Sequence, residues 1–182
     1  MSVKRGKTPI IAVCGGSSAP PEYEAVAETT GELIAAEGWW LICGGLQSVM
    51  TAACKGARKK DGFTIGILPD GDVTTANPFV ELPIATGVGY ARNSIIVATA
   101  DAIISIDGAE GTLSEMCYAL VFKKPVIVIA LEDKPVDYGG IRVDKQHSPG
   151  VTVVKDAVAA IQAVKTQLQL SQTPSRQKRP GK

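Results

Sequence analysis

The sequence predicts an α/β fold: a Rossmann-like, doubly wound, mainly parallel sheet of about six or seven strands with helices on both faces. Three observations predict it. Short β-branched runs alternate with longer stretches of helical period, the pattern of stacked βαβ units. Five of the runs are apolar nearly throughout, as strands are when helices cover both faces of a sheet; a half-exposed sheet would alternate. Glycines stand where runs end, at Gly15-Gly16, Gly44-Gly45 and Gly108, so the chain turns tightly at one edge of the sheet.

Each element follows in order. Ile10 to Cys14 is the first strand. Pro21 to Glu37 is a helix with Val26, Leu33 and Ile34 at helical spacing and Gly38 as its stop. Trp39 to Cys43 is the second strand, in which two adjacent tryptophans cannot both face one side. Gly44 and Gly45 turn the chain into a helix carrying Val49, Met50, Ala53 and Ala57, which ends at Arg58-Lys59-Lys60-Asp61-Gly62. Phe63 to Leu68 is the third strand. Asp70 to Pro78 is a polar loop of the kind that covers ligand crevices. Val80 to Thr86 is the fourth strand, Ala91 to Ala100 a helix, Asp101 to Ile106 the fifth strand, Thr112 to Phe122 a helix and Pro125 to Leu131 the sixth strand. A short strand at Thr152 to Val154 and a helix from Asp156 to about Leu170 close the domain. Residues 1–8 form a basic extension and 9–170 one domain. Residues 171–182, with four cations and no acid, read as a disordered basic tail.

The 182 residues suffice for one domain, and an apolar fraction of 45% with 20% charged residues gives it a sizeable core. The net charge of +1 excludes a global field for nucleic acid or acidic substrates. That balance averages basic ends with an acidic domain, because residues 9–170 carry 12 Lys and Arg against 18 Asp and Glu. An anion held by such a domain relies on local geometry. Cys14, Cys43, Cys54 and Cys117 include no C-x-x-C pair, which argues against zinc and against a disulfide scaffold. The lone histidine, His147, sits in a polar loop and reads as surface. The apolar stretch behind Lys4, Arg5 and Lys7 is too short for a secretory signal, and Val126 to Leu131 falls far short of the roughly 20 residues of a membrane helix. A cytoplasmic protein without membrane contact is expected. The tail's charges read as a solvated terminus, so nucleic acid is not an expected partner.

In open α/β sheets ligands bind outside the carboxyl ends of the strands. Three glycine-bearing turns fall there: Gly15-Gly16-Ser17, Gly44-Gly45 and Gly108-Ala109-Glu110-Gly111-Thr112. Free backbone N–H groups and helix dipoles at such turns attract phosphate or carboxylate. Neither G-x-G-x-x-G nor G-x-x-x-x-G-K-[ST] is present, which demotes ordinary dinucleotide and P-loop readings. Arg92-Asn93 and Glu115 stand near the starts of successive helices at the same edge. By spacing alone Glu115 is an acid stabilising a helix N-terminus by about 0.3 to 1 kcal/mol, and Arg92 a surface cation.

The stretch from Gly87 to Leu120, and more loosely Cys14 to Leu131, resembles the LOG (Lonely Guy) superfamily of Rossmann-like proteins. That group includes phosphoribohydrolases misnamed lysine decarboxylases, DprA/Smf-related proteins and molybdenum-cofactor carriers. Its pattern is an arginine, an aspartate nine residues on, and P-G-G-x-G-T-x-x-E ending 23 residues after the arginine. Arg92, Asp101, Gly108, Gly111, Thr112 and Glu115 fall on it without a gap. Cys43-Gly44-Gly45-Leu46-Gln47-Ser48-Val49-Met50 is similar to the family's G-G-G-x-x-G-L-M. Thr64 to Pro69 and Gly87 to Asn93 look closest to the molybdenum-cofactor-carrier branch.

The leading implication of the resemblance is hydrolysis of the N-glycosidic bond of nucleoside 5′-monophosphates. Glu115 would stabilise the cationic sugar and orient water, ionised with the help of Arg92, which would position the ligand. Amides around Gly108 to Leu113 would hold the phosphate, with Gly15, Gly16, Ser17, Gly44, Gly45, Met50, Asn93, Ala109, Glu110 and Thr112 completing the site. No cofactor is required for that reaction. The alternative is a non-catalytic carrier of a pterin-type molybdenum cofactor, or a nucleotide sensor. The family implies a homodimer or homotetramer.

The chain departs from the pattern at Asp107-Gly108-Ala109-Glu110, where two carboxylates stand at the proposed phosphate loop. Unit charges about 5 Å apart at an effective dielectric of about 20 repel by roughly 3 kcal/mol. Tyr90 replaces a histidine of the hydrolases, and Ser114 a second glutamate. Lysine decarboxylation is excluded because Lys55, Lys59, Lys60, Lys123 and Lys124 fall at helix ends or on polar faces.

Overall fold

The computed structural model describes residues 8–131, 136–138, 141–143 and 150–172. His147, the basic extension up to residue 7 and the tail from residue 173 lie outside them. Strands β1 (Ile10–Gly15), β2 (Trp40–Cys43), β3 (Thr64–Leu68), β4 (Leu82–Ala85), β5 (Ala102–Ile106) and β6 (Val126–Ile129) alternate with helices α1 (Pro21–Ala36), α2 (Val49–Arg58), α3 (Arg92–Thr99) and α4 (Glu110–Val121). A short hairpin of β7 (Val136–Tyr138) and β8 (Ile141–Val143) follows, then β9 (Val151–Val154) and α5 (Ala157–Gln172). The seven-stranded sheet runs β4-β3-β2-β1-β5-β6-β9, every pairing parallel.

Side chains of successive strand residues point to opposite faces, and β1 shows it directly. Ile11 and Val13 join a core with α1, α2 and α5, while Ile10, Ala12 and Cys14 join a second core with α3 and α4. The central strands are apolar because both faces are covered. Helices α1 and α2 cross backbone to backbone. A Cβ on Gly31 would strike the Ala53 carbonyl, and one on Gly56 the Glu28 carbonyl.

Several boundaries move from their sequence-based positions. Trp39 leaves β2 because its N–H bonds the Ile34 carbonyl at 3.2 Å and closes α1, with Gly38 at φ 71° as the left-handed stop. It packs on the core, whereas Trp40 is 40% exposed and rests on Phe63 with ring centroids 4.8 Å apart. β4 spans only Leu82–Ala85, since Thr64 Oγ1 donates to the Phe79 carbonyl at 2.7 Å and Val80 turns onto the core. α4 begins two residues early, at Glu110, because Gly108 at φ 127° lets the chain enter the helix at once. The loop after β3 is held by Asp72, which accepts from Thr74 N at 2.8 Å, and by Asn77 Nδ2, which donates to the Leu46 carbonyl at 3.0 Å. The last helix runs on through residues 171 and 172, which the sequence assigns to the tail. Among the described residues no helix is long and apolar enough to cross a membrane.

Candidate functional site

From β1 the chain winds outward through β2, β3 and β4. It then crosses back over α3 to place β5 on the other side of β1. The loops leaving β1 and β5 therefore part in opposite directions, and a crevice opens between them. A cavity of about 200 Å³ occupies it. Its lining includes Gly15, Gly16, Ser17, Gly44, Met50, Arg92, Asn93, Ala109, Glu110, Gly111, Thr112 and Glu115. Gly45 and Gly108 are not in the lining; they shape the turns. Gly45, at φ 71°, lets the chain pass over Gly66, and a Cβ on Gly108 would meet Thr112.

Arg92 and Glu115 are 8% and 7% exposed. The Arg92 guanidinium reaches from the first turn of α3 across the end of β2, where Nη1 donates to the carbonyls of Gly44 and Ile67. Gly44 is glycine for this reason: a Cβ there would lie 2.9 Å from both terminal guanidinium nitrogens, Nη1 and Nη2, and 2.8 Å from Met50 Sδ. Arg92 Nε is buried with no hydrogen-bond partner. Burial pulls the guanidinium below its ordinary pKa, with Glu115 opposing.

Glu115 makes its hydrogen bond with Cys14 rather than an ion pair with Arg92. Burial is the dominant influence on it and pushes its carboxyl up to about 7; the Cys14 bond and then the Arg92 charge pull the other way. Arg92 acts in the expected direction, toward ionisation, but burial outweighs it and holds the carboxyl above its ordinary value. Burial and then the neighbouring Glu115 raise the Cys14 thiol well above its ordinary value, so it is a hydrogen-bond donor and not a thiolate. On the opposite face of the sheet, Cys43 Sγ lies 3.5 Å from Cys54 Sγ and accepts from Gly45 N at 3.3 Å. These bonds lower Cys43, and the same contact raises Cys54.

The first turn of α4 has no side-chain cap, which leaves the N–H groups of Glu110, Gly111 and Thr112 without helical partners. The two carboxylates that depart from the family pattern separate here. Glu110 is exposed and lines the cavity, whereas Asp107 lies outside the lining and accepts from Gly108 N. Burial raises the Asp107 carboxyl. Asn93 braces the two helix starts: Nδ2 donates to Ser114 Oγ at 2.8 Å and to the Gly111 carbonyl at 3.2 Å. Ser48 joins the β1 and β2 exits, accepting from Ala19 N at 2.9 Å and donating to Glu24 Oε1 at 2.6 Å. Asp101, which also fits the family pattern, stands at the other end of the sheet, where its carboxylate accepts from Ile10 N at 2.8 Å.

Val13, Cys14, Leu46 and Tyr90 line the cavity and were not among the expected site residues. Cys14 and Val13 read as strand interior. The available signal for Cys14 was its place directly before the Gly15-Gly16 turn.

The model of the SLOG cluster4 family matches residues 8–164. An uncharacterised protein of Archaeoglobus fulgidus is 43% identical over 133 residues, covering 73% of this chain and 85% of that protein. The cytokinin riboside 5′-monophosphate phosphoribohydrolase of Mycobacterium marinum is 31% identical over 114 residues, 61% of each chain. Among solved structures, the molybdenum cofactor binding protein of Rippkaea orientalis superposes with a TM-score of 0.78 at 35% identity, over 89% of this chain and 98% of that one. The molybdenum cofactor carrier protein of Chlamydomonas reinhardtii gives 0.74 at 31% identity, over 90% and 99%.

Proposed function

The chain belongs to the SLOG cluster4 family, and from that footing we propose that it is a carrier, holding a phosphorylated pterin-type molybdenum cofactor at the β1–β5 crevice without cleaving it. One observation carries this reading. The two charged groups that glycosidic hydrolysis needs are engaged by the protein itself, Arg92 on the carbonyls of Gly44 and Ile67 and Glu115 on Cys14. A carboxyl that burial raises to about 7 is only partly ionised near neutral pH, which weakens it as a stabiliser of a cationic sugar. The near full-length likeness to two molybdenum-cofactor proteins supports the same choice.

In this reading the phosphate sits on the N–H groups of Glu110, Gly111 and Thr112, at the positive end of the α4 dipole. Gly15, Gly16 and Gly44 let the ligand approach the backbone. Arg92 Nε, a buried donor with no partner, gains an acceptor when the ligand is present. Glu115 sets a pH limit, because a protonated carboxyl tolerates an anion beside it and an ionised one repels it.

A second reading, N-glycosidic hydrolysis of nucleoside 5′-monophosphates, draws on the Mycobacterium relative and on a carboxyl with a pKa near operating pH, suited to proton transfer. Base release from AMP, GMP, CMP and UMP, followed by chromatography, separates the two. The carrier reading expects none above the rate of a Glu115→Gln variant. Turnover that Glu115→Gln abolishes would establish the hydrolase.

A further inference from the structure

Tyr90 is the most exposed large apolar or aromatic side chain among the described residues, at 82%, yet it lines the cavity that buries Arg92 and Glu115. A ring left so open has an unused face of the kind aromatic side chains present to planar ligands. Its backbone, by contrast, is fixed. Tyr90 lies in the single helical turn Gly89–Ala91 directly before α3, where Gly89 N donates to the Pro69 carbonyl at 2.9 Å and Ala91 N to the Val88 carbonyl at 3.2 Å. The ring stands beside the phosphate turn, since a Cβ on Gly111 would lie 3.7 Å from Tyr90 Cε1. Leu46 and Met50 give the same cavity an apolar lining.

We propose that Tyr90 is the stacking platform for the ligand's heterocycle, so that the site recognises a planar ring joined to a phosphoryl group. The inference deepens the carrier reading and rests on it. The anion is held at the α4 N-terminus and the ring leaves the cavity over Tyr90. A cavity of about 200 Å³ is smaller than the roughly 300 to 1,000 Å³ usual for whole-ligand pockets, which leaves part of the ligand at the mouth. Tyr90 then decides between a ligand with an aromatic heterocycle and one without, while the backbone amides bind any phosphate ester alike.

The test uses two probes with the same phosphate end: GMP, whose guanine shares the amino-oxo-pyrimidine ring of a pterin, and ribose 5-phosphate, which has no aromatic heterocycle. Dissociation constants are measured by calorimetry for the wild type, Tyr90→Ala and Tyr90→Phe. The wild type is expected to prefer GMP. Tyr90→Ala is expected to weaken GMP by roughly 5- to 150-fold, the range of base–aromatic stacking, and to leave ribose 5-phosphate unchanged. Tyr90→Phe is expected to keep the preference. An unchanged GMP constant in Tyr90→Ala, or equal losses for both probes, overturns the inference. So does a changed oligomeric state with GMP affinity intact, which would make Tyr90 an assembly residue. Wild type that binds both probes equally overturns the platform alone; wild type that binds neither overturns the carrier reading with it.

Discussion

The exits of β1 and β2 carry the same three residues, Cys14-Gly15-Gly16 and Cys43-Gly44-Gly45, and do opposite work. In register Ala12 lies beside Ile42, so Cys43 falls beside Val13 and Cys14 one step further on. A step of one residue reverses the face of a strand. Cys14 therefore points toward α4 and meets Glu115, while Cys43 points toward α2 and meets Cys54. The glycines differ in the same way. Gly15 is wedged between Val49 and the Ile106 carbonyl, and Gly16 faces the Asp107 carboxylate; Gly44 lies under the Arg92 guanidinium. One turn thus borders the acidic wall of the crevice and the other its basic floor. The motif supplies thin backbone, and the elements that dock on it supply the charge.

Breaking the β1 turn is expected to cost the most. A Cβ on Gly15 would sit 2.5 Å from the Ile106 carbonyl, which cannot move without separating β1 from β5. Gly15→Ala is expected to destabilise by about 3 kcal/mol in denaturant unfolding.

The acidic wall has a pH signature. Glu115 keeps its proton up to about 7 in the folded protein and loses it near its ordinary value of 4.5 when unfolded. The folded state binds the extra proton, so stability falls as pH rises from about 4.5 through 7 and then levels off. Between pH 5 and 8 this group is expected to cost about 2 kcal/mol, and Glu115→Gln to remove that part of the slope. Asp107 slopes in the same sense, so the difference between wild type and variant isolates Glu115.

On the basic floor, Gly44→Ala forces Arg92 and Met50 aside. Ligand affinity is expected to drop about 10-fold, equivalent to roughly 1.4 kcal/mol, with unfolding affected less than by Gly15→Ala. Smallest is the brace between the two helix starts: Asn93→Ala removes two hydrogen bonds and is expected to cost about 1 kcal/mol in thermal unfolding.

The sequence made the central strands plain because β1, β3, β5 and β6 are buried on both faces and read as nearly continuous apolar runs. β4, an edge strand with Leu82 and Ile84 exposed, gave a blurred boundary. The β7–β8 hairpin was missed although Gly139-Gly140 between Val-Asp-Tyr and Ile-Arg-Val is a recognised hairpin signal. Its Tyr138 hydroxyl reaches Ser105 at 2.6 Å inside the core. Of the site, the glycine turns were legible as turns, and the spacing of Arg92 and Glu115 as a family pattern. What those side chains touch was not. Arg92 bonds residues 48 and 25 positions away, and Glu115 is 101 positions from Cys14, distances that only the crossover at the switch point closes.

The crevice is proposed to hold a cofactor without consuming it. The direct measurement mixes the protein with molybdenum cofactor released from a donor enzyme, separates it by gel filtration, and assays pterin fluorescence and molybdenum in the protein fractions. We expect both to co-elute with the wild type near one equivalent per chain, and to fall sharply with Gly44→Ala. Cofactor that elutes entirely at the small-molecule volume, from a protein that releases base from nucleoside 5′-monophosphates, would contradict the claim.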